Sequence, residues 1–214
     1  MTESILPAEG EHLTNGWEPD VPVDDTLKRR AVFVHASWPV EVAKALGRPW
    51  RRTDRWAGAV VGHGGALTNA VVLTQPLSDA DGVLAEVADL VPTGTPYFLL
   101  NPWLTPDLAP HGLSLIGHPP LMVRLPAPRP RPDPDGVEVR EALDPAALAV
   151  AERVLVEGYP MPGTPEGGIF APGLLGGATR VWVGYVDGEP VSVAAAHVAA
   201  GAVLVEYVAA LPAA

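Results

Sequence analysis

The stretch from Thr179 to Ala214 constrains this chain most. Three apolar runs rich in β-branched residues, 180–186, 190–198 and 202–209, are separated by Asp187-Gly188 and then by Ala200-Gly201. Asp-Gly between such runs marks a two-residue hairpin turn, because both central residues must take positive φ. The segment therefore predicts a three-stranded antiparallel meander. Strand alternation puts Glu206 and Val208 on one side of its last strand and Tyr207 and Ala209 on the other.

The 214 residues are near the upper range of a single core, and a hydrophobic content of 48% is ample for burial. A net charge of -11 argues against a general nucleic-acid surface or an anionic-membrane surface, both of which reward clustered Lys and Arg. With no cysteine there are no disulfides, thiolate metal sites or cysteine nucleophiles. The first residues, MTESILPAEGEH, carry no apolar core of signal-peptide length, and no run approaches the roughly 20 apolar residues that span a bilayer. The expected location is the cytoplasm.

Taken in order, 1–23 reads as a loose, Pro- and Gly-containing lead-in. Asp24 or Asp25 can cap a helix in which Leu27, Ala31, Val34 and Trp38 recur, with Pro39 breaking it or opening a second one through Leu46. Arg48, Arg51, Arg52 and Arg55 cluster beside Trp50 and Trp56, as an anion contact or as a solvated rim packed on indoles. Residues 56–61 and 69–74 read as strands joined by Gly62-His63-Gly64-Gly65. That turn resembles an esterase oxyanion loop only superficially, since no G-x-S-x-G occurs. A helix from Ser78 or Asp79 to near Gly94 follows, then a strand at 96–101, a short helix at 106–111 closed by Gly112, and a strand pair at 113–116 and 121–125. The Pro-rich run 126–134 reads as a semi-rigid spacer or a polyproline ligand. Beyond it a strand at 137–143 leads to a helix at 146–157, with Asp144 as cap and Pro145 at the first helical position. The loop 158–179 is long and apolar.

VDGEPVSVAAA followed by VEYVAALP resembles the central hairpin and third strand of the GNAT-family N-acetyltransferases. The resemblance is clearest over 137–214 and weaker over 69–125. It implies an α/β (α+β) fold with a mixed, mostly antiparallel sheet and flanking helices. The expected organisation is a degenerate GNAT-like domain at 24–126, a linker at 127–136 and the N-terminal part of an acetyltransferase domain at 137–214. In the first of these the turn before the helix reads QPLSDAD, where a proline removes an amide and aspartates oppose a phosphate, so cofactor binding is not expected there.

The activity implied is transfer of an acetyl group from acetyl-CoA to a small-molecule or peptide amine by direct attack, without a metal. By position in the family's splayed strand, Val208, Ala209, Ala210 and Leu211 match the residues whose backbone grips the pantetheine arm and the acetyl carbonyl. Tyr159, Met161 and Phe170 match one wall of the acceptor site, or else they tuck over the core. Glu206, the one ionisable group in its apolar run, becomes a general base if it faces the cleft, because partial desolvation raises its pKa; otherwise it lies on the solvent face. Tyr207 is the second catalytic candidate, with Tyr185 and His197 as lesser ones. The family's Arg/Gln-x-x-Gly-x-Gly/Ala loop falls beyond Ala214, so this polypeptide alone is expected to be nearly inactive. The alternatives are a non-catalytic binding or assembly module that pairs through its open sheet edge, forming homo-oligomers, and a fragment of a longer enzyme.

Overall fold

A computed structural model describes residues 26–62, 65–119, 122–124, 136–159, 161 and 163–212. The expected lead-in, the caps Asp24 and Asp25, His63 and all of the expected linker but Gly136 lie outside them.

Two four-stranded sheets share one long helix. The first holds β1 (Trp50–Arg52), β2 (Trp56–Val60), β3 (Asn69–Leu73) and β4 (Phe98–Leu100) in that order, antiparallel except for the parallel β3/β4 pair. The second holds β5 (Glu138–Glu141), β6 (Thr179–Val186), β7 (Glu189–Ala199) and β8 (Ala202–Ala210), antiparallel throughout, and contains the predicted meander. Both predicted turns take positive φ, at Asp187-Gly188 and at Ala200-Gly201.

Helix α1 (Leu27–Ala45) is capped by Thr26, whose Oγ1 accepts from the Arg29 amide at 3.1 Å. It runs unbroken through Pro39, where a break was expected. Proline there removes one amide hydrogen bond, and burial of Val34, Trp38 and Val42 in the main core outweighs that loss. That core joins these three residues and Val61 to α3 (Pro145–Gly158) and the second sheet, so α1 packs on both sheets. Asp144 caps α3 as predicted, its carboxylate accepting from the Ala147 amide at 2.8 Å. Helix α2 (Ala80–Ala88) is capped by Asp79 and closes the smaller core around Trp56, Val71 and Leu73.

The predicted strand pair at 113–116 and 121–125 is not formed. Residues 113–119 and 122–124 carry no strand, and Leu115 and Ile116 are 77% and 76% exposed. Gly117 and Pro119 interrupt the run before it could pair. The expected helix at 106–111 is a single 3₁₀ turn, Ala109–His111, closed as predicted by Gly112 at φ 78°. Among the described residues no helix is long and apolar enough to cross a membrane.

Candidate active site

β8 does not keep the period-two alternation its sequence implies. Ala195 pairs with Glu206 and Val193 with Ala209, so Tyr207 and Val208 together face Ala194, and Tyr207 sits at φ 51°. This is a β-bulge, and it resets which side each later residue faces. Leu204 is buried and, by alternation, shares the core-facing side with Glu206; Tyr207 also turns inward, Ala209 is buried, and Val208 stays 63% exposed. The expectation that Val208 shares a side with Glu206, opposite Tyr207 and Ala209, is therefore corrected. A tyrosine in the left-handed region costs on the order of 1–3 kcal/mol and persists only where its surroundings fix it. Here the fixing contacts are aromatic: the Tyr207 ring meets Trp38 edge-on at 5.2 Å and Phe170 at 5.7 Å.

Burial shifts the two adjacent ionisable groups at the bulge the same way, toward their protonated forms. Burial raises the Glu206 carboxyl above the ordinary glutamate range, and the charge of His35 on α1 opposes this. Burial also pushes the Tyr207 hydroxyl well above the usual phenol range, with the Glu206 charge adding to the rise, although the residue as a whole is only partly buried. A neutral phenol beside a half-buried carboxylate can donate a hydrogen bond while the carboxylate accepts a proton.

The backbone of β8 divides the four proposed cofactor positions. The Leu211 amide donates to Val191 O at 2.8 Å and is used within the sheet. The antiparallel ladder then turns the Ala210 amide away from β7, toward the strand's unpaired edge. At the same end a Cβ added to Gly158 would sit 2.7 Å from Ala210 O, so α3 closes tightly against the backbone there. α3 thus covers part of this edge and Ala209 is buried, while Val208 and Ala210 are exposed and Leu211 contributes no amide to it.

The acceptor-wall candidates divide as well. Tyr159 is half-exposed at the end of α3, while Met161 and Phe170 are buried in the main core, Phe170 also lining an open depression of about 340 Å³ with Pro145, Ala149, Glu166, Gly167 and Pro172. Phe170 bears on the site indirectly, through Tyr207. Its loop is held by a group the sequence reading missed. Glu152 of α3 is buried, and its carboxylate accepts from the amides of Gly167, Gly168, Ile169 and Phe170 at 2.6, 3.3, 2.7 and 2.8 Å. The only advance sign is Gly167-Gly168, bare backbone able to wrap an anion.

His197 lies in the core between Ser37 and Thr179, with ring nitrogens 2.7 and 3.0 Å from their hydroxyls, and burial lowers its pKa. Tyr185 lies under the Arg140 guanidinium, 4.5 Å away, on β6. The Arg/Trp cluster is mostly a rim: Arg55 pairs with Asp79 and Glu86, Arg51 with Asp89, and the Trp56 indole donates to Glu86 at 3.0 Å. Among the described residues no three His, Asp or Glu are grouped to hold a metal ion.

No family model and no curated protein matches the sequence. Among solved structures, the chain is similar to a GCN5-related N-acetyltransferase from Kribbella flavida, with a TM-score of 0.50 and 18% identity over 85% of this chain and 72% of that one. The chain has the GNAT fold. At this identity the likeness establishes architecture: a GNAT-like arrangement of mostly antiparallel sheets with three α-helices, in which β8 is an edge strand carrying a bulge.

Proposed function

We propose that the chain handles the acyl end of an N-acetyltransferase reaction at the free edge of β8, with Glu206 as general base. The observation that carries this reading is the bulge at Tyr207–Val208. It is a strained, non-glycine kink on an edge strand, and it sets a half-buried carboxylate and a buried phenol next to unpaired backbone. Acetyl-CoA supplies an acyl thioester. The amine nitrogen forms the new C–N bond as the C–S bond breaks; Glu206 accepts the proton lost by nitrogen, and the thiolate leaves to be protonated from solvent. An amide on the strand edge, that of Ala210 or one of the bulge, serves as donor to the carbonyl oxygen as charge builds on it. The expected acceptor is a small-molecule or peptide amine.

Among the described residues no glycine-rich turn opens a helix beside β8 to hold a diphosphate. The pantetheine arm and the acyl group are therefore the parts this polypeptide grips. Acetyl-CoA and acetyl-pantetheine, titrated calorimetrically into the protein, are expected to bind within about threefold of each other. A preference for acetyl-CoA of about 100-fold or more would locate a diphosphate site elsewhere in the chain and overturn this division.

A second reading is favoured by the outer face of the same hairpin, where Val203, Val205 and Val208 are each more than 60% exposed. In it the sheet edge and this valine row pair with another copy, and the chain is an assembly module. That reading is supported if neither thioester binds and the protein elutes as a dimer.

A further inference from the structure

Away from β8, a cavity of about 300 Å³ opens between α1, the β1–β2 turn and the β7–β8 turn. Its walls are mostly apolar, formed by Phe33 and Ala36 of α1, Ala57 of β2 and Ala199 before the β7–β8 turn. Arg52, Ser37, Thr53 and Thr74 also line it, and they are not equivalent. The Thr53 hydroxyl is saturated, donating to Trp56 O at 3.1 Å and accepting from the amides of Arg55 and Trp56. Thr74 commits its hydrogen to Asp54 O at 3.1 Å.

Ser37 donates to Val34 O at 2.8 Å, so His197 Nε2–H is the donor in their 2.7 Å contact, and Thr179 donates to Nδ1. One lone pair of Ser37 Oγ is left for an incoming donor. Arg52 differs from its neighbours Arg51 and Arg55: it forms no side-chain hydrogen bond or ion pair among the described residues. Its charge nonetheless reaches His197, lowering a pKa that burial lowers and the Glu41 carboxylate raises.

A guanidinium with no partner among the described residues and a hydroxyl lone pair, set in an apolar pocket, complement a carboxylate and an adjacent N–H donor on an apolar body. The volume holds on the order of ten water-sized groups, at about 30 Å³ each. We propose that this cavity binds a small apolar α-amino acid, its carboxylate on Arg52 and its ammonium group on Ser37. The site is separate from β8 and does not depend on the acyl-transfer reading.

The test is a calorimetric titration of L-valine, with valinamide and isovalerate as probes lacking the carboxylate and the amine. L-Valine is expected to saturate with a Kd of about 0.1–1 mM, and both probes and Arg52→Ala are expected to weaken binding by about tenfold. Arg52 is exposed, so the variant keeps the fold, and acetyl-pantetheine binding is expected to be unchanged in it. No saturation by L-valine up to about 10 mM, equal binding of valinamide, or full affinity in Arg52→Ala would each overturn the assignment.

Discussion

Replacing Glu152 with alanine is expected to destabilise the protein by about 3–4 kcal/mol, measured by urea unfolding. The carboxylate is buried, and four consecutive amides of the 167–170 loop converge on it. A hydrogen bond to a charged acceptor contributes about 1.5–3 kcal/mol net, and four bonds sharing one carboxylate are far from additive. Alanine removes all four acceptor contacts at once and leaves a cavity beside Ile169 and Phe170, both buried. Glu152→Gln keeps the shape but turns an NH₂ toward two amide donors, so about 2 kcal/mol is expected for it. A loss below about 1 kcal/mol for alanine would mean the loop is held by packing alone. Phe170 braces Tyr207, so loosening this loop is also expected to relax the bulge.

Glu206→Gln is expected to lower kcat by about 100-fold or more on the best acceptor from a panel of primary amines, with thioester affinity unchanged. The base must be ionised, and burial raises its pKa. The acid limb of the rate profile should therefore lie above the range of an ordinary glutamate, with activity lost as pH falls through that raised value. The stability consequence has the opposite sense. A carboxyl whose folded pKa is raised contributes stability below its unfolded pKa and loses it as pH rises through the folded value. At neutral pH the ionised Glu206 is thus destabilising, and the Gln variant should melt higher than the parent, the gap narrowing toward acid pH. Unchanged turnover in the variant would remove Glu206 from the reaction. Lower melting at neutral pH would mean the carboxylate is satisfied in a way its burial does not indicate.

What could be read in the sequence was local. The turns at Asp187-Gly188 and Ala200-Gly201, the cap Asp144 with Pro145, and the 3.6-residue spacing of Leu148, Ala151, Val154 and Leu155 each act over a few residues, and each formed as read. The strand pair at 113–125 failed because apolar content alone does not supply a partner strand. At the site, Glu206 and Tyr207 stood out as polar groups in an apolar run, but their shared side did not, since no residue type marks a bulge whose left-handed position is a tyrosine. For Met161 and Phe170 the sequence leaves a wall, implied by the resemblance, and a place over the core equally open; Glu152, fifteen to eighteen residues upstream of the loop's amides, draws that loop onto the core. The Ser37–His197 contact joins residues 160 apart and no periodicity predicts it.

On the reading proposed above, acyl thioesters are gripped by the unpaired edge of β8 at its bulge. The most direct measurement is a ¹H–¹⁵N amide spectrum of the uniformly labelled protein during titration with acetyl-pantetheine. Saturable shifts concentrated at Tyr207, Val208 and Ala210, with the amide of Leu211 little changed because it remains bonded to Val191, are the expected result. Shifts that leave β8 untouched and gather at another surface would contradict it.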